Sequence, residues 1–535
     1  MRFCSRLFLP LVLLMMGCQQ KDNSFKATPP NIVWLVAEDQ SPEHFPFYGN
    51  PTVLLPHLEQ LAKDGVLYQN AYSPVPVCAP ARSALITGLY PTTLGTHNMR
   101  TYNGYKKENE PTLNIPSYSP VVPEGVKIFT ECLRAAGYYC TNNAKEDYNF
   151  KALASAWDDS SKKAHWRNRP KEAPFFAVFN FGITHESQIW KQANKPLLVE
   201  PDSLIVPPIF PDNDVIRKDL AVNYSNLIRL DRQIGKVIEQ LKADGLYENT
   251  LLFFYGDHGG PFPRHKRALY ETGIKVPLVI KLPQNAKAGT QEDRLVSFID
   301  FAPTLLSVVG IEPPKIMQGN PFLGSYKTPA PEFIFASSDR FDETVDRLRA
   351  VRYGHYKYIR NFNPNITNAL PNTYRSQMAM MQNMRQLWEA NKLPEPVGRW
   401  FATPKPEEEL YDLRQDPYEL NNLAAMPALK DTLVFLRNSL DQWMLESSDM
   451  GAIPEKEIIK QFFPEGIPPK LEPLSFNKEE NQITLSHPDL GSTIIWKKQG
   501  DSIWSIYKKP LRTKFPLEAQ SVRIGYKSSE ILRIP

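Results

Sequence analysis

The stretch NIVWLVAED, residues 31–39, decides the fold. Its run from Asn31 to Val36 is almost entirely apolar and lacks the polar alternation of a half-exposed strand, so it predicts a strand buried on both faces. Glu38 and Asp39 follow at once. Ligands of parallel sheets bind beyond the carboxyl ends of the strands, which makes these two carboxylates candidates for an active site.

The same pattern recurs along the chain. Buried strands are predicted at 175–181, 251–255 and 276–280, and helices at 55–64, 220–241 and 299–309. Two of these strands also end in ionisable residues, namely His185 in one case and Asp257 with His258 in the other. Strands that alternate with helices indicate an α/β fold around a largely parallel sheet. We therefore expect these side chains to meet Glu38 and Asp39 at one edge.

The pattern changes after residue 322. Strands are predicted at 333–337 and 356–360, and an apolar stripe from Leu429 to Trp443 predicts a helix. Proline-rich sequence then runs to Pro473 and gives way to short alternating segments at 492–498 and 502–508. The sequence thus predicts a catalytic domain at 31–325, an α+β subdomain at 326–452 and a small all-β accessory domain at 472–535.

Composition excludes several classes of protein. The 535 residues are 42% hydrophobic and 22% charged, which excludes a disordered or fibrous chain. The net charge is only +4 and no block of lysine and arginine stands out, so nucleic acid is not expected as a partner. The 49 prolines favour long loops over a helical bundle.

The N-terminus predicts export. Arg2 and Arg6 precede an apolar run at 7–16, which is too short to span a membrane, and Gly17 and Cys18 follow. This resembles a bacterial lipoprotein signal. We expect a signal peptide at 1–17, a lipid anchor at Cys18, a linker at 18–30 and a cell-envelope lipoprotein in the periplasm or outer membrane. The alternative is a plain secretory signal.

Three cysteines remain after this segment. Cys78, Cys132 and Cys140 are too few for a disulfide framework. Cys132 and Cys140 either pair or stay as free thiols.

The segment CAPARSALITG, residues 78–88, predicts a short helix with Pro80 in its first turn and Gly88 at its end. Cys78 would lie at the helix N-terminus, where free N–H groups favour an anion. Arg82, one turn along, can add a bidentate contact to a tetrahedral oxyanion. By itself the segment fits either a reactive thiol or a structural cysteine.

The pattern Cys-x-Pro-x-Arg followed by Ser-x-x-x-Thr-Gly resembles the signature of the sulfatase family. The resemblance extends over roughly 31–450, through the segments 31–39, 55–72, 256–259, 269–277 and 410–423. It implies the alkaline-phosphatase-like fold, in which helices sandwich a large mixed, mostly parallel sheet.

The resemblance also implies a mechanism. A maturase would convert Cys78 to formylglycine, whose hydrate attacks sulfur and then expels sulfate by collapsing to the aldehyde. One divalent cation, Ca²⁺ in most relatives, would be held at Cys78 by Glu38, Asp39, Asp257 and His258.

Three residues depart from the family pattern. Glu38 replaces the usual Asp, and His258 replaces the usual Asn with a softer ligand. Asp147 stands where the family has a histidine that positions the nucleophile.

The remaining site residues follow from the order of the motifs. Lys145 and Lys266 correspond to the family's two sulfate-facing lysines, and His185 to the histidine near the leaving group. His97, Arg100, Asp339 and Arg340 are candidates for contact with substrate.

Within the family, the segments 260–263 and 410–444 are most similar to heparan N-sulfatases. This implies a sulfated, glucosamine-containing glycan of heparin or heparan type as the substrate. Three alternatives stay open: an O-sulfatase on another polysaccharide, a phosphonate or phosphate-ester hydrolase of the same fold, and a non-catalytic glycan-binding lipoprotein.

Overall fold

A computed structural model describes residues 29–102, 113–480, 482–513 and 515–535. The predicted signal peptide and the anchor at Cys18 lie outside these residues. Within the described part of the chain, no helix is both long and apolar enough to cross a bilayer. Cys132 and Cys140 are free thiols rather than a disulfide.

The chain is built on an eight-stranded sheet with the strand order β4-β3-β5-β1-β6-β7-β2-β8. Its strands are β1 Asn31–Ala37, β2 Val66–Tyr72, β3 Tyr139–Asn143, β4 Asp159–Ser160, β5 Phe175–Phe181, β6 Thr250–Gly256, β7 Lys275–Lys281 and β8 Thr290–Ser297. β1 pairs in parallel with both β5 and β6, so that Trp34 lies between Val178 and Phe253. β7 runs antiparallel to β6 and β2. The prediction of a mixed, mostly parallel sheet is confirmed.

Helices cover both faces of this sheet. They are α1 Pro56–Asp64, α2 Cys78–Thr87, α3 Pro91–Leu94, α4 Phe129–Ala135, α5 Ser187–Lys191, α6 Asp214–Ala243, α7 Glu271–Ile274 and α8 Phe301–Val308. Val33 and Leu35 of β1 belong to the core on the side of α1 and α6. Trp34 and Val36 belong to the core on the side of α2, α4 and α8. β1 is buried on both faces, as its unbroken apolar run predicts.

The helices α2 and α6 have clear ends. Gly88 ends α2 at a φ of 74°, where its N–H donates to the Ala84 carbonyl. A positive φ is easily adopted only by glycine, which explains why the helix ends here. Asn213 caps α6 by accepting hydrogen bonds from the N–H groups of Val215 and Ile216. This cap lies before the apolar stripe begins, so α6 is longer than predicted.

A four-stranded antiparallel sheet, in the order β12-β11-β10-β9, follows the main domain. Its strands are β9 Phe333–Ser338, β10 Leu348–Tyr353, β11 Tyr356–Asn361 and β12 Glu408–Asp412, and its helices are α9 Ala379–Glu389, α10 Lys430–Glu446 and α11 Glu455–Phe462. α11 lies in the proline-rich stretch, where no helix was predicted.

The C-terminal region consists of two small antiparallel sheets, β13-β14-β17 and β16-β15-β18-β19. Their strands are β13 Ser475–Glu479, β14 Gln482–Ser486, β15 Thr493–Lys498, β16 Ser505–Ile506, β17 Leu511–Arg512, β18 Leu517–Val522 and β19 Leu532–Ile534. They dock on the main domain, since Arg134 donates to the Trp504 carbonyl and Ile524 belongs to the core cluster around α4.

Candidate active site

Three neighbouring strands deliver ionisable residues to one edge of the sheet. β1 lies between β5 and β6, so the residues that follow each strand converge. The Asp39 N–H donates to Asp257 Oδ1 at 3.0 Å, and the Glu186 N–H donates to Asp39 Oδ2 at 2.7 Å. Asp39 therefore joins the ends of all three strands.

Cys78, at the start of α2, lies within this cluster. Asp39, Cys78, Asp257 and His258 are all buried, and their candidate ligand atoms lie within 4.8 Å of one another. His258 Nε2 is 3.0 Å from Asp39 Oδ1 and 3.4 Å from Cys78 Sγ. Four of the five residues that the sequence places at the nucleophile and its metal thus lie together.

These side chains fit a divalent cation. His258 Nδ1 lies 2.9 Å from the Gly259 carbonyl and donates to it, which leaves Nε2 directed at the carboxylates, where it can bind a proton or a metal ion. Burial acts to lower the pKa of His258, but Asp257 and Asp39 raise it to about 10. The carboxylates therefore favour a positive charge at this position. Two carboxylates and one oriented imidazole are a common donor set for such an ion.

Lys266 connects the carboxylates with the nucleophile. Its Nζ donates to both oxygens of Asp39, at 3.1 and 2.9 Å, and lies 3.5 Å from Cys78 Sγ. It also lies 3.2 Å from His185 Nε2. Burial alone would raise the pKa of the Cys78 thiol, but the charges of Lys145 and Lys266 help to lower it to about 6. The surroundings of Cys78 therefore stabilise negative charge.

Arg82 is turned toward the carboxylates. Its Nε and Nη2 donate to Asp257 Oδ2 at 3.2 and 3.0 Å, and its Nη1 donates to Asn180 Oδ1 at 2.7 Å. In this arrangement Arg82 fixes the orientation of Asp257. The predicted bidentate contact between Arg82 and a substrate oxyanion stays a prediction.

Glu38 and Lys145 form an ion pair beside the cluster. Lys145 Nζ lies 2.9 Å from Glu38 Oε2 and 3.7 Å from Asp147 Oδ2. Glu38 also belongs to a second group of candidate ligands, together with Asp39 and His185. Asp147 thus lies beside Lys145 as a second carboxylate partner, in the place where the sequence pattern expects a histidine.

Three of the four candidate substrate residues lie at an outer cavity. His97, Asp339 and Arg340 line a cavity of about 460 Å³, together with residues of the subdomain such as Arg347. Arg340 is bound there by Glu455, and Asp339 by Arg349. Arg100 is exposed and does not line this cavity.

Two buried residues of the site were missed by sequence reasoning. Glu186 accepts two hydrogen bonds from Arg267, at 2.9 and 2.7 Å, and lies 3.5 Å from Lys266 Nζ. Arg267 also forms an ion pair with Asp342. The sequence offered one indication of their role: each directly follows a predicted site residue. Glu186 follows His185, and Arg267 follows Lys266.

A buried cysteine at a helix N-terminus, with carboxylates and a lysine at the carboxyl edge of a mixed sheet, defines a hydrolase of the alkaline-phosphatase-like fold. Comparison with known sequences identifies the family. The sequence model described as "Sulfatase" matches residues 30–311, and that of "N-sulphoglucosamine sulphohydrolase, C-terminal" matches residues 256–370. The chain belongs to the sulfatase family and is a sulfuric ester or sulfamate hydrolase.

Individual relatives agree with this assignment. An ulvan-active sulfatase of Formosa agariphila is 41% identical, over 94% of this chain and 91% of its own length. Human N-sulphoglucosamine sulphohydrolase is 26% identical, over 84% of this chain and 96% of its own. A solved structure of a protein in complex with its substrate D-glucosamine-2-N,6-O-disulfate has the same fold, with a TM-score of 0.57, 16% identity, and coverage of 80% of this chain and 100% of its own.

Proposed function

We propose that this protein removes sulfate groups from a sulfated glycan through a formylglycine formed from Cys78. The observation that carries the proposal is the burial of Cys78 between Lys266 and His258, at distances of 3.5 and 3.4 Å, in surroundings that stabilise negative charge. A sulfate group carries this charge. A maturase that acts on Cys78 is therefore proposed as a partner.

The cofactor that fits this site is a single divalent cation, and we propose Ca²⁺. Asp39, Asp257 and His258 would hold it beside residue 78, with Glu38 as a further oxygen donor. Such an ion polarises a sulfate oxygen and favours the ionised nucleophile. Formylglycine supplies a hydrated aldehyde as nucleophile, and its second hydroxyl allows sulfate to be expelled.

The chain's own residues bind the sulfate and handle the proton. Lys266 Nζ, next to residue 78, carries a positive charge that binds a sulfate oxygen. His185 Nε2 lies 3.2 Å from Lys266 Nζ and is the atom placed to carry the proton that the leaving group needs. Arg82 keeps Asp257 in position through two hydrogen bonds.

The cavity lined by His97, Asp339, Arg340 and Arg347 is proposed to seat the saccharide. Its volume of about 460 Å³ lies in the range of small-molecule sites. Arg340, Arg347 and Lys456 line it together with Asp339, Asp346 and Glu455, so the cavity offers charged partners of both signs to a polar sugar.

Two candidate substrates should be tested first. Ulvan comes first, because an ulvan-active sulfatase is 41% identical to this protein over almost the whole chain. A glucosamine N-sulfate of heparin or heparan type comes second. It is favoured by the match of residues 256–370 to the C-terminal part of N-sulphoglucosamine sulphohydrolases.

The experiment is sulfate release, measured by ion chromatography, from ulvan oligosaccharides and from N- and O-sulfated glucosamine saccharides. The protein is co-expressed with a formylglycine maturase, and Cys78→Ala is the control. Release from ulvan alone supports an O-sulfatase of ulvan type, and release from the N-sulfate alone supports a sulfamidase. No release from any of these, with formylglycine verified by mass spectrometry, would overturn the glycan proposal.

We further propose that the protein is anchored in the bacterial cell envelope through a lipid on Cys18. The support is the sequence pattern at 2–18. Metabolic labelling with palmitate tests it, since Cys18→Ala should lose the label and be released from the membrane fraction.

A further inference from the structure

A second group of metal-binding side chains lies outside the catalytic cluster. Glu43, His44 and His265 offer ligand atoms that lie within 4.8 Å of one another. Glu43 and His44 belong to a 3₁₀ turn, Pro42–His44, that follows the catalytic residues of β1. His265 directly precedes Lys266. The group therefore lies between two segments that carry catalytic residues.

Hydrogen bonds orient both rings. His265 Nδ1 lies 3.1 Å from the Pro263 carbonyl, which can only accept. His44 Nδ1 lies 3.0 Å from Gln40 Oε1, and the Gln40 amide nitrogen donates to Asn223. Each ring therefore directs Nδ1 at a neighbouring oxygen and presents Nε2 on its opposite side. Histidine ligands of metals are oriented in this way.

Both Nε2 atoms face the same carboxylate. Glu43 Oε1 lies 2.8 Å from His265 Nε2 and 3.8 Å from His44 Nε2. Burial holds the pKa of His44 down to about 4, so its ring is neutral near pH 7. Burial would raise the pKa of Glu43, but the hydrogen bond from His265 and the charge of that ring lower it. Without a metal ion, a proton on His265 Nε2 therefore bridges this nitrogen and Glu43, and a divalent cation can take the place of that proton.

The surrounding residues hold the two rings in place. The rings of His44 and His265 stack, with centroids 5.9 Å apart. Phe210 stacks on the other face of His265, and Phe262 contacts both imidazoles edge-on. Gly260 leaves room for them, since a Cβ there would lie 2.6 Å from His265 Cδ2 and 2.8 Å from His44 Cε1. The donors are therefore preorganised.

We propose that Glu43, His44 and His265 form a second metal site, for a borderline divalent cation of which Zn²⁺ is the type. Two imidazoles and one carboxylate are established zinc donors, with ligand distances of about 2.0–2.2 Å. These three residues help to line a cavity of about 390 Å³, which leaves room for a further ligand. A bound ion would displace the proton between His265 Nε2 and Glu43. It would fasten the turn after β1 to the loop that carries Lys266.

The test counts metal ions in a protein whose catalytic cluster has lost two donors. In the Cys78→Ala/Asp257→Ala background, the demetallated protein is titrated with Co²⁺ and Zn²⁺, and bound metal is measured by mass spectrometry and calorimetry. We expect one equivalent with a rise in Tm. Addition of His265→Gln should remove that equivalent or weaken binding at least tenfold. His165→Gln is the matched control, because His165 lies away from the site and its Nε2 contacts Gln240 Oε1 at 3.1 Å.

Each outcome decides the proposal. Loss of the equivalent in His265→Gln with retention in His165→Gln supports it. Equal binding by the background protein and His265→Gln overturns it. If His265→Gln fails to fold, Glu43→Gln carries the same test, because its partly exposed side chain tolerates the exchange. No step depends on sulfate release, so the result is independent of the proposed function.

Discussion

The burial of Cys78 places one reactive side chain at the centre of the site, and its replacement separates binding from turnover. In Cys78→Ser, one hydroxyl remains to attack sulfur, but the second hydroxyl that releases sulfate is missing. We expect at most one sulfuryl group retained per chain and no multiple turnover. Intact mass spectrometry after incubation with substrate measures this.

Cys78→Ala is the control for that experiment and should retain no sulfuryl group. Multiple turnovers by the serine variant would contradict a release step that depends on the geminal diol.

We expect His258 to influence the choice of metal. Its imidazole Nε2 lies 3.0 Å from Asp39 Oδ1, where an amide oxygen would suit a hard cation better. We expect His258→Asn to shift preference from Mn²⁺ toward Ca²⁺ by about tenfold. The measurement is the activity that each ion restores after treatment with EDTA.

His97→Asn is a matched control, because His97 lines the outer cavity, whose lining does not include Asp39 or Asp257. An unchanged Mn²⁺/Ca²⁺ ratio in His258→Asn would show that His258 is not a ligand.

At this scale the sequence identifies which residues meet but not how they pair. Asp39, Cys78, Asp257 and His258 were predicted together, because strand ends and motif order determine their positions. The pairing of Glu38 with Lys145 and of Arg82 with Asp257 depends on side-chain rotamers. These contacts are fixed only by packing among neighbours distant in sequence.

At the scale of elements, a residue of α6 completes the N-terminus of α1. Asp231 Oδ1 accepts from the Leu58 N–H at 2.8 Å, and Oδ2 from the His57 N–H at 3.4 Å. This buried aspartate of α6 therefore has a structural role. Because α1 has no side-chain cap of its own, Asp231 supplies one across the helix pair.

We expect Asp231→Ala to lower the free energy of unfolding by about 1–2 kcal/mol with kcat unchanged. Chemical denaturation and steady-state kinetics measure the two effects. Asp231→Asn keeps one acceptor oxygen and should lower the free energy of unfolding by less than Asp231→Ala does. A fall in kcat at unchanged stability would instead assign Asp231 to catalysis.

The strands β1, β5 and β6 were predicted because their apolar runs carry the signal for burial on both faces. The antiparallel direction of β7 could not be read from its sequence, because an apolar run looks the same in either direction. α11 was missed because prolines surround it. Pro454 lies just before its first turn, where proline is compatible with a helix start.

At the scale of the whole molecule, the C-terminal sheets belong to the catalytic domain's packing. Ile524 is 1% exposed and contributes to the core cluster that includes Phe129 of α4. Lys127 donates to the Ser492 carbonyl across the same boundary. The sequence predicted a small all-β accessory domain at 472–535, and its alternating pattern gave no indication of this contact.

We expect Ile524→Ala to destabilise the catalytic domain by about 2–5 kcal/mol. Scanning calorimetry and the temperature dependence of activity measure it. Ile503→Ala, at a side chain that is 50% exposed in the same region, is the control and should stay within about 0.5 kcal/mol. If Ile524→Ala shifted only a separate unfolding transition of the C-terminal sheets, this result would contradict their docking on the catalytic domain.

The complete enclosure of Cys78 determines the order of events during the protein's biogenesis. Its side chain has no accessible surface once α2 is packed. If Cys78 is converted to formylglycine as proposed, the maturase must act on the chain before this segment folds. The active fraction in a cell then depends on the rate of Cys78 modification relative to the rate of folding, and not on an equilibrium. Slower translation or more maturase should raise specific activity without changing the amount of folded protein.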